Sequence, residues 1–413
     1  ATGLGTNSLG RVQTPVLAAI SRRYRERENH ISSDSWPIYI SLQKDGILFK
    51  MRRIQDLPDK ESATMFFQDC KLAHQAQITG IRHSVKEILP PDLLDLTQLQ
   101  KEANIRYGYT ASEVYDIAQS LYEKKLISYP RTSSRYLTED VFDSLSPIMA
   151  RLLSWELFPA AKGTGGIDIS SLSRHVINAE KANVHHAIII TGISPGNMSE
   201  KEMQVYRLVA GRMLEAFMAP CRIETTNVEA VCAAQHFKAE QTRIIEAGWH
   251  DVFMNSDIIP KSGYSVNELP EVEKGDTLNV CGRNLVHKKQ LPVNPFTDAE
   301  LVEYMELNGL GTVSSRTNII RTLVSRKYIR YSGKYIVPTP KGMFTYETIR
   351  GKKIADTSLT ADWEKQLAGL ESGMITRQDF LNRIRTLAKE MTDDIFNTYL
   401  RKRGTVNPYY SEY

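Results

Sequence analysis

The 413 residues predict a multidomain α+β chain, mostly helical domains joined by a β-rich region, on three observations. At ~100–200 residues per domain, the length allows two to four domains. Three Ser/Thr-x-x-Glu boxes, Thr110–Glu113, Ser199–Glu202 and Thr297–Glu300, each head a run of helical apolar spacing. Apolar alternation at residues 38–42 and 228–232 marks strands before and among them. Hydrophobic residues make up 41% of the chain and the net charge is only +4, which excludes a bulk polycation, an acidic disordered chain and a polar linker.

Along the chain, a Gly-rich entry leads into a helix carrying Val12, Val16, Leu17, Ile20 and Tyr24 at helical spacing, followed by Arg22, Arg23, Arg25 and Arg27. Ile38, Ile40 and Leu42 alternate before Lys44-Asp45-Gly46, and Leu48, Phe49 and Met51 follow, which predicts a β-hairpin. Pro90-Pro91 breaks the chain. Behind the Thr110 box, Val114, Ile117, Ala118, Leu121 and Tyr122 share one helix face, and that helix must end before Pro130. The Ser199 box heads a helix with Met203, Tyr206, Val209, Met213 and Phe217 behind it, and residues 222–290 read as β-rich. The Thr297 box opens a helix that stops at Gly309. A second helix is expected over about Ser315–Lys327, with Ile319, Ile320, Leu323 and Val324 inward, and a hairpin is expected around Ser332-Gly333. Helix, turn, helix, hairpin is a winged-helix-like order.

Charge is uneven. Residues 311–353 hold ten Lys and Arg against Glu347 alone, a net +9, and residues 1–30 carry five Arg against Glu26 and Glu28. Clustered positive charge on helices is the footprint of phosphate binding, while a single basic helix is equally well a solvated face. Cys70, Cys221, Cys232 and Cys281 contain no C-x-x-C, so they predict reduced thiols of a cytosolic protein rather than a zinc ribbon or a disulfide framework. No apolar run approaches the ~18 residues of a membrane span, and the N-terminus is not a signal peptide. The chain opens on Ala1 in sequence that already reads as structured, so a fragment or processed chain is expected.

The stretch with most chemical content is Leu126-Ile-Ser-Tyr129-Pro130-Arg131-Thr-Ser133. Pro130 forbids helix and biases its neighbours toward an extended chain. Positions two apart then share a face, so Tyr129 and Arg131 are expected to project together. A free phenol, with pKa about 10, is a weak nucleophile. A guanidinium beside it can favour the phenolate and grip a phosphate. A half-buried aromatic beside a surface Arg fits the same spacing. In His185-His186-Ala-Ile-Ile-Ile-Thr191, adjacent histidines on a strand face opposite sides and argue against a metal pair. One of them near a phosphate could stabilise developing charge.

These stretches, with Ser8-Leu-Gly-Arg11-Val-Gln13 and Gly309-Leu-Gly-Thr312 followed by Arg316, resemble in order and separation the type IA DNA topoisomerases, most of all bacterial topoisomerase III. The resemblance also takes in residues 90–103 and 359–367. It implies a toroidal core and the following roles. Tyr129 would be the nucleophile that holds a 5′ DNA end as a phosphotyrosine, with Arg131 and His185 at the scissile phosphate. Ser8, Arg11 and Gln13 would line a single-strand groove, joined by Thr312 and Arg316. The family's transesterification conserves bond energy and implies no ATP. Two departures stand out: Ser133 where the family usually has Asp, and Ile190 where it usually has Pro.

The family also carries a Toprim domain with a catalytic Glu and a D-x-D-x-E cluster for Mg²⁺. These 413 residues contain no D-x-D, so the metal is expected to be held by a Toprim domain outside this sequence and none by this chain. The implied organisation is a first part of a helical domain at 1–28, the first half of a β-rich arch at 29–89, a nucleophile domain at 90–197, the second half of the arch at 198–290, and a C-terminal helical, winged-helix-like DNA-binding domain at 291–413. Expected partners are single-stranded DNA and the Toprim domain of the same protein. The chain is expected to be monomeric, free of membrane, cytoplasmic and nucleoid-associated, and cleavage-deficient alone. The competing reading is a non-catalytic single-stranded nucleic-acid-binding module. A tyrosine recombinase is excluded, because no His is followed by Arg three residues on.

Overall fold

The computed structural model describes residues 9–154, 158, 174–182, 185–254 and 261–403; Ser8 lies outside them. The first helix, α1 (Gln13–Glu28), buries Val16, Leu17 and Ile20 and places Arg25 and Arg27 in its last turn, where cations complement the helix dipole. A short strand β1 (Asp34–Ser35) precedes the hairpin of β2 (Ile38–Lys44) and β3 (Ile47–Arg53). Asp45 and Gly46 both take positive φ, 51° and 81°, as the two-residue turn of a twisted hairpin requires. Next come α2 (Lys60–Leu72), the long β4 (Gln75–Ile88), α3 (Leu96–Tyr107) and α4 (Ala111–Glu123). The Thr110 box forms reciprocally, the hydroxyl accepting from the Glu113 N–H and the carboxylate from the Thr110 N–H.

Short helices α5 (Glu139–Asp143), α6 (Leu145–Ser154) and α7 (Ala179–Ala182) lead to α8 (Glu200–Phe217), opened by the reciprocal Ser199–Glu202 box. Then follow β5 (Cys221–Cys232), β6 (Gln235–Glu246), β7 (Thr277–Leu285) and β8 (Lys288–Lys289). Six strands close into a barrel in the order β2-β3-β6-β5-β4-β7, drawing three strands from each side of the intervening helices. Its interior is filled by Ile38, Ile40, Phe49, Met51, Ile78, Val228, Ala230 and Phe237. β1 and β8 pair separately as a two-stranded ribbon.

The helix α8, expected to open the second half of the arch, packs elsewhere. Its Val205, Leu208, Val209 and Met213 share one core with Leu99 of α3, Val114 and Leu121 of α4, and Ile188. The Glu202 carboxylate also accepts from Ser120 (2.7 Å) and Lys124 (2.6 Å), and these donors hold it down at about 2. α8 therefore packs with the 90–197 segment, as do Trp249, Val252 and Phe253 farther along the chain.

The C-terminal part contains α9 (Asp298–Leu307), α10 (Val313–Ser325), the hairpin β9 (Ile329–Ser332) and β10 (Tyr335–Pro338), α11 (Pro340–Ile349), α12 (Ser358–Glu371) and α13 (Arg377–Arg403). The winged-helix-like order is present, with two shifts from expectation. α10 begins at Val313, because Thr312 serves as its cap, and the hairpin turns on Gly333-Lys334. Val16, Leu17 and Ile20 of α1 pack with Leu301, Ile320, Tyr328 and Ile336, so residues from both chain ends build one core. Among the described residues no helix is long and apolar enough to cross a membrane.

Candidate active site and nucleic-acid interface

Backbone pairing brings the Tyr129 and His185 stretches together. Ile127 bridges Ile190, the Ser128 N–H donates to the Ile189 carbonyl (2.8 Å), and the Ser128 hydroxyl donates to the Ala187 carbonyl (3.1 Å). Beyond Pro130 the Thr132 hydroxyl donates to the His185 carbonyl (2.8 Å), and the Ala187 N–H donates to the Tyr136 carbonyl (2.9 Å). The segment 128–136 thus wraps around 185–187. Tyr129 and His185 end with ring centroids 4.5 Å apart at 46°.

One face of α4 receives both Tyr129 and Arg131. Tyr122 meets the Tyr129 ring edge-on, 5.4 Å between centroids. Arg131 donates to the Gln119 side-chain oxygen (3.1 Å) and lies 5.2 Å from the Tyr115 ring. Tyr115, Gln119 and Tyr122 are spaced i, i+4 and i+7, hence neighbours on one helix face. The expectation that Tyr129 and Arg131 project together matches this geometry. Tyr122 does not sit on the apolar face to which its spacing assigned it; it is 40% exposed and turned toward Tyr129. The buried Arg131 Nε makes no hydrogen bond among the described residues.

Around this centre, His186 takes no part in the stack on Tyr129; its Nδ1 lies 2.7 Å from the Ala187 carbonyl. Ser133 is exposed between the buried Thr132 and Ser134. Sequence reasoning missed Arg135, four residues beyond Arg131. Arg135 donates to Asp95 (2.7 Å), the cap of α3, and approaches Glu306 of α9 at 3.7 Å. Burial raises the Asp95 carboxyl above its ordinary value, against the lowering effect of the Gln98 N–H and Arg135.

Arg316, expected to contact DNA, is placed inside. It is 7% exposed, donates to the Thr97 hydroxyl (2.9 Å) and pairs with Glu306 at 3.4 Å. In this conformation its guanidinium joins α10 to α3 and α9 and is not presented to a strand. Thr312, the α10 cap, is exposed on the same turn, its N–H donating to the Ser315 hydroxyl (2.9 Å). Arg11 and Gln13 form a second patch at the start of α1. The Arg11 guanidinium lies 5.6 Å from the Trp363 ring, and the Gln13 side-chain oxygen accepts from Arg326 (3.1 Å). No signal in the sequence pointed to Trp363 or Arg326 as their neighbours.

Similarity to known proteins extends over almost the whole chain. A family model described as DNA topoisomerase matches residues 2–382. DNA topoisomerase 3 of Bacillus licheniformis is 30% identical over 94% of this chain and 56% of its own length. DNA topoisomerase 1 of Methanocaldococcus jannaschii is 30% identical over 93% of this chain and 50% of its own. The solved structure of full-length topoisomerase I from Thermotoga maritima superposes with a TM-score of 0.73 at 23% identity, covering 94% of this chain and 64% of that one. The chain spans about half the length of the curated relatives it matches. With a family match across nearly all of its residues and a shared fold, this chain belongs to the type IA DNA topoisomerases.

Proposed function

We propose that this chain carries the strand-binding and nucleophile-bearing part of an ATP-independent topoisomerase. The observation that carries the reading is Tyr129 held against His185, with Arg131 on the same face of α4. The Tyr129 phenol oxygen attacks a backbone phosphorus of a single strand. The phenol proton is given up as the new bond forms, the bond to the 3′ oxygen breaks, that oxygen takes up one proton and leaves as a hydroxyl, and the 5′ side stays on Tyr129 as a phosphodiester. One phosphodiester replaces another, so the reverse attack by the 3′ hydroxyl religates without an energy source. The Arg131 guanidinium offers fixed donors to the phosphate oxygens, and the His185 ring stands where a further donor meets the developing charge.

The neighbours of Tyr129 named above are aromatic, imidazole and guanidinium groups. Among the described residues no three His, Cys, Asp or Glu side chains converge as a metal site. These residues do not fit a resident divalent cation. We assign Mg²⁺ and the acid–base carboxylate to a Toprim domain of the same protein, acting beside this chain in the cytoplasm on nucleoid DNA. Alone and as a monomer, the chain is then a single-strand binder that cleaves poorly.

Substitution Tyr129→Phe tests the reading. Mixed with a Toprim domain and Mg²⁺, the variant is expected to bind single-stranded DNA as wild type does and to give no covalent adduct. An adduct with the phenylalanine variant, or efficient cleavage by wild-type chain with no Toprim domain added, would overturn it.

A further inference from the structure

Seven of the ten cations of residues 311–353 fall into two sets. Arg316 is buried on Thr97 and Glu306, Arg321 pairs with Asp116, Lys341 donates to the Arg326 carbonyl (3.0 Å), and Lys352 pairs with Asp394 (2.6 Å). These four tie the fold together. Lys327, Arg330 and Lys334 are exposed and make no ion pair among the described residues. They follow one another from the end of α10 along β9 to the tip of the hairpin. Arg330 and Ser332 share the outward face of β9, while Ile329 is buried behind and Tyr331 turns inward to Asp298 (3.1 Å). No acidic residue occurs between 311 and 346, and Glu347 is turned away toward Arg25 (2.8 Å).

Three further features give this face a direction. It is continuous with the start of α1, because Arg326, next to Lys327, is hydrogen-bonded to Gln13. Among the described residues β9 pairs only with β10, and its outer edge carries no strand there. The half-exposed Tyr335 ring lies 5.5 Å from the Lys334 ammonium at the tip, the mix of cation and aromatic that holds single strands without reading sequence. At about 3.3 Å per residue, the seven steps from Lys327 to Lys334 span at most roughly 23 Å.

We infer that the outer face of the β9–β10 hairpin continues the single-strand path beyond Gln13 and Arg326, with Lys327, Arg330 and Lys334 on successive phosphates. This rests on the proposed binding of single-stranded DNA and adds where the strand runs. The test uses the 413-residue chain and its triple variant Lys327→Gln, Arg330→Gln, Lys334→Gln. Both are titrated with oligothymidylates of about 8 and about 25 nucleotides across a salt series. With the long oligomer the variant is expected to lose affinity and about 2 of the slope of log K against log salt, at about 0.7 per phosphate. Its affinity for the short oligomer and its Tm are expected to equal wild type. Cations that only keep an open strand edge from pairing with other chains would leave both titrations unchanged, and that result overturns the inference. Equal loss at both lengths, or loss confined to duplex of the same length, overturns it as well. Wild-type chain that binds neither oligomer overturns the functional reading itself, and this inference with it.

Discussion

Tyr129 and Arg131 sit two residues apart, and what each rests on decides what a substitution does. Arg131 spans Gln119 and the Tyr115 ring, so a planar fork is held in place over α4. Arg131→Lys keeps the charge and loses the fork. Adduct formation is expected to fall on the order of 100-fold while single-strand affinity changes less than about threefold; quench-flow cleavage beside equilibrium binding separates the two. Arg316→Met removes one partner from a buried pair. It is expected to destabilise the chain by about 3 kcal/mol in chemical denaturation and to leave the salt slope of DNA binding unchanged. A slope lower by about 0.7 would instead show that Arg316 reaches a phosphate. Order and spacing of short motifs made Tyr129, Arg131 and His185 legible. The burial of Arg316 was not, because Thr97 lies 219 residues away and no local pattern reports it. Tyr122 was misassigned for a related reason: helical periodicity shows which residues share a face, not what comes to rest on that face.

At the scale of elements, the capping boxes at Thr110, Ser199 and Thr297 marked helix starts correctly, since each is a closed set of hydrogen bonds over four residues. The β2–β3 turn was equally local. Barrel closure was not legible, because β2 meets β7 across more than 200 residues with Ile38 opposite Leu285, and the register slips between Ser41 and Leu42. One side chain pins three elements that were foreseen separately. Asp298, in the first turn of α9, accepts from the α4 Ala111 N–H (3.1 Å) and from the β9 Tyr331 hydroxyl (3.1 Å), both at Oδ1. Burial pushes its carboxyl up to about 6 from an ordinary 3.8. Because the folded state holds this proton more tightly than the unfolded state, the stability it favours is present at low pH and is lost as pH rises through about 6. Asp298→Asn keeps both acceptor contacts at Oδ1 and removes the charge. The variant is expected to melt with wild type near pH 4 and to be more stable above about pH 6.5, by on the order of 2 kcal/mol. A constant difference between the two melting curves across pH would contradict this.

For the whole molecule, the net charge of +4 hides how the cations are used: some lock helices to each other, and others line the hairpin face. The same division appears in packing. The Tyr129 segment shares an apolar core with α8, whereas its ties to α9 and α10 run largely through polar groups. Arg135 reaches Glu306 of α9, and the helices beside the segment add Lys101 of α3 with Glu303 (2.5 Å), Thr97 of α3 with Arg316, and Asp116 of α4 with Arg321. Tyr129 thus shares its core with α8, and Arg11 and Gln13 border the core that α1 shares with the C-terminal helices. On this reading Tyr129 takes the broken strand. Mass spectrometry of the DNA-linked peptide tests it most directly, after the chain, a Toprim domain, Mg²⁺ and a 3′-labelled single strand have reacted and been denatured. The expected result is label on the protein through the 5′ end of the fragment, with the added mass on Tyr129. Label on Tyr122, Tyr115 or Tyr136, or linkage through a 3′ end, would contradict the account.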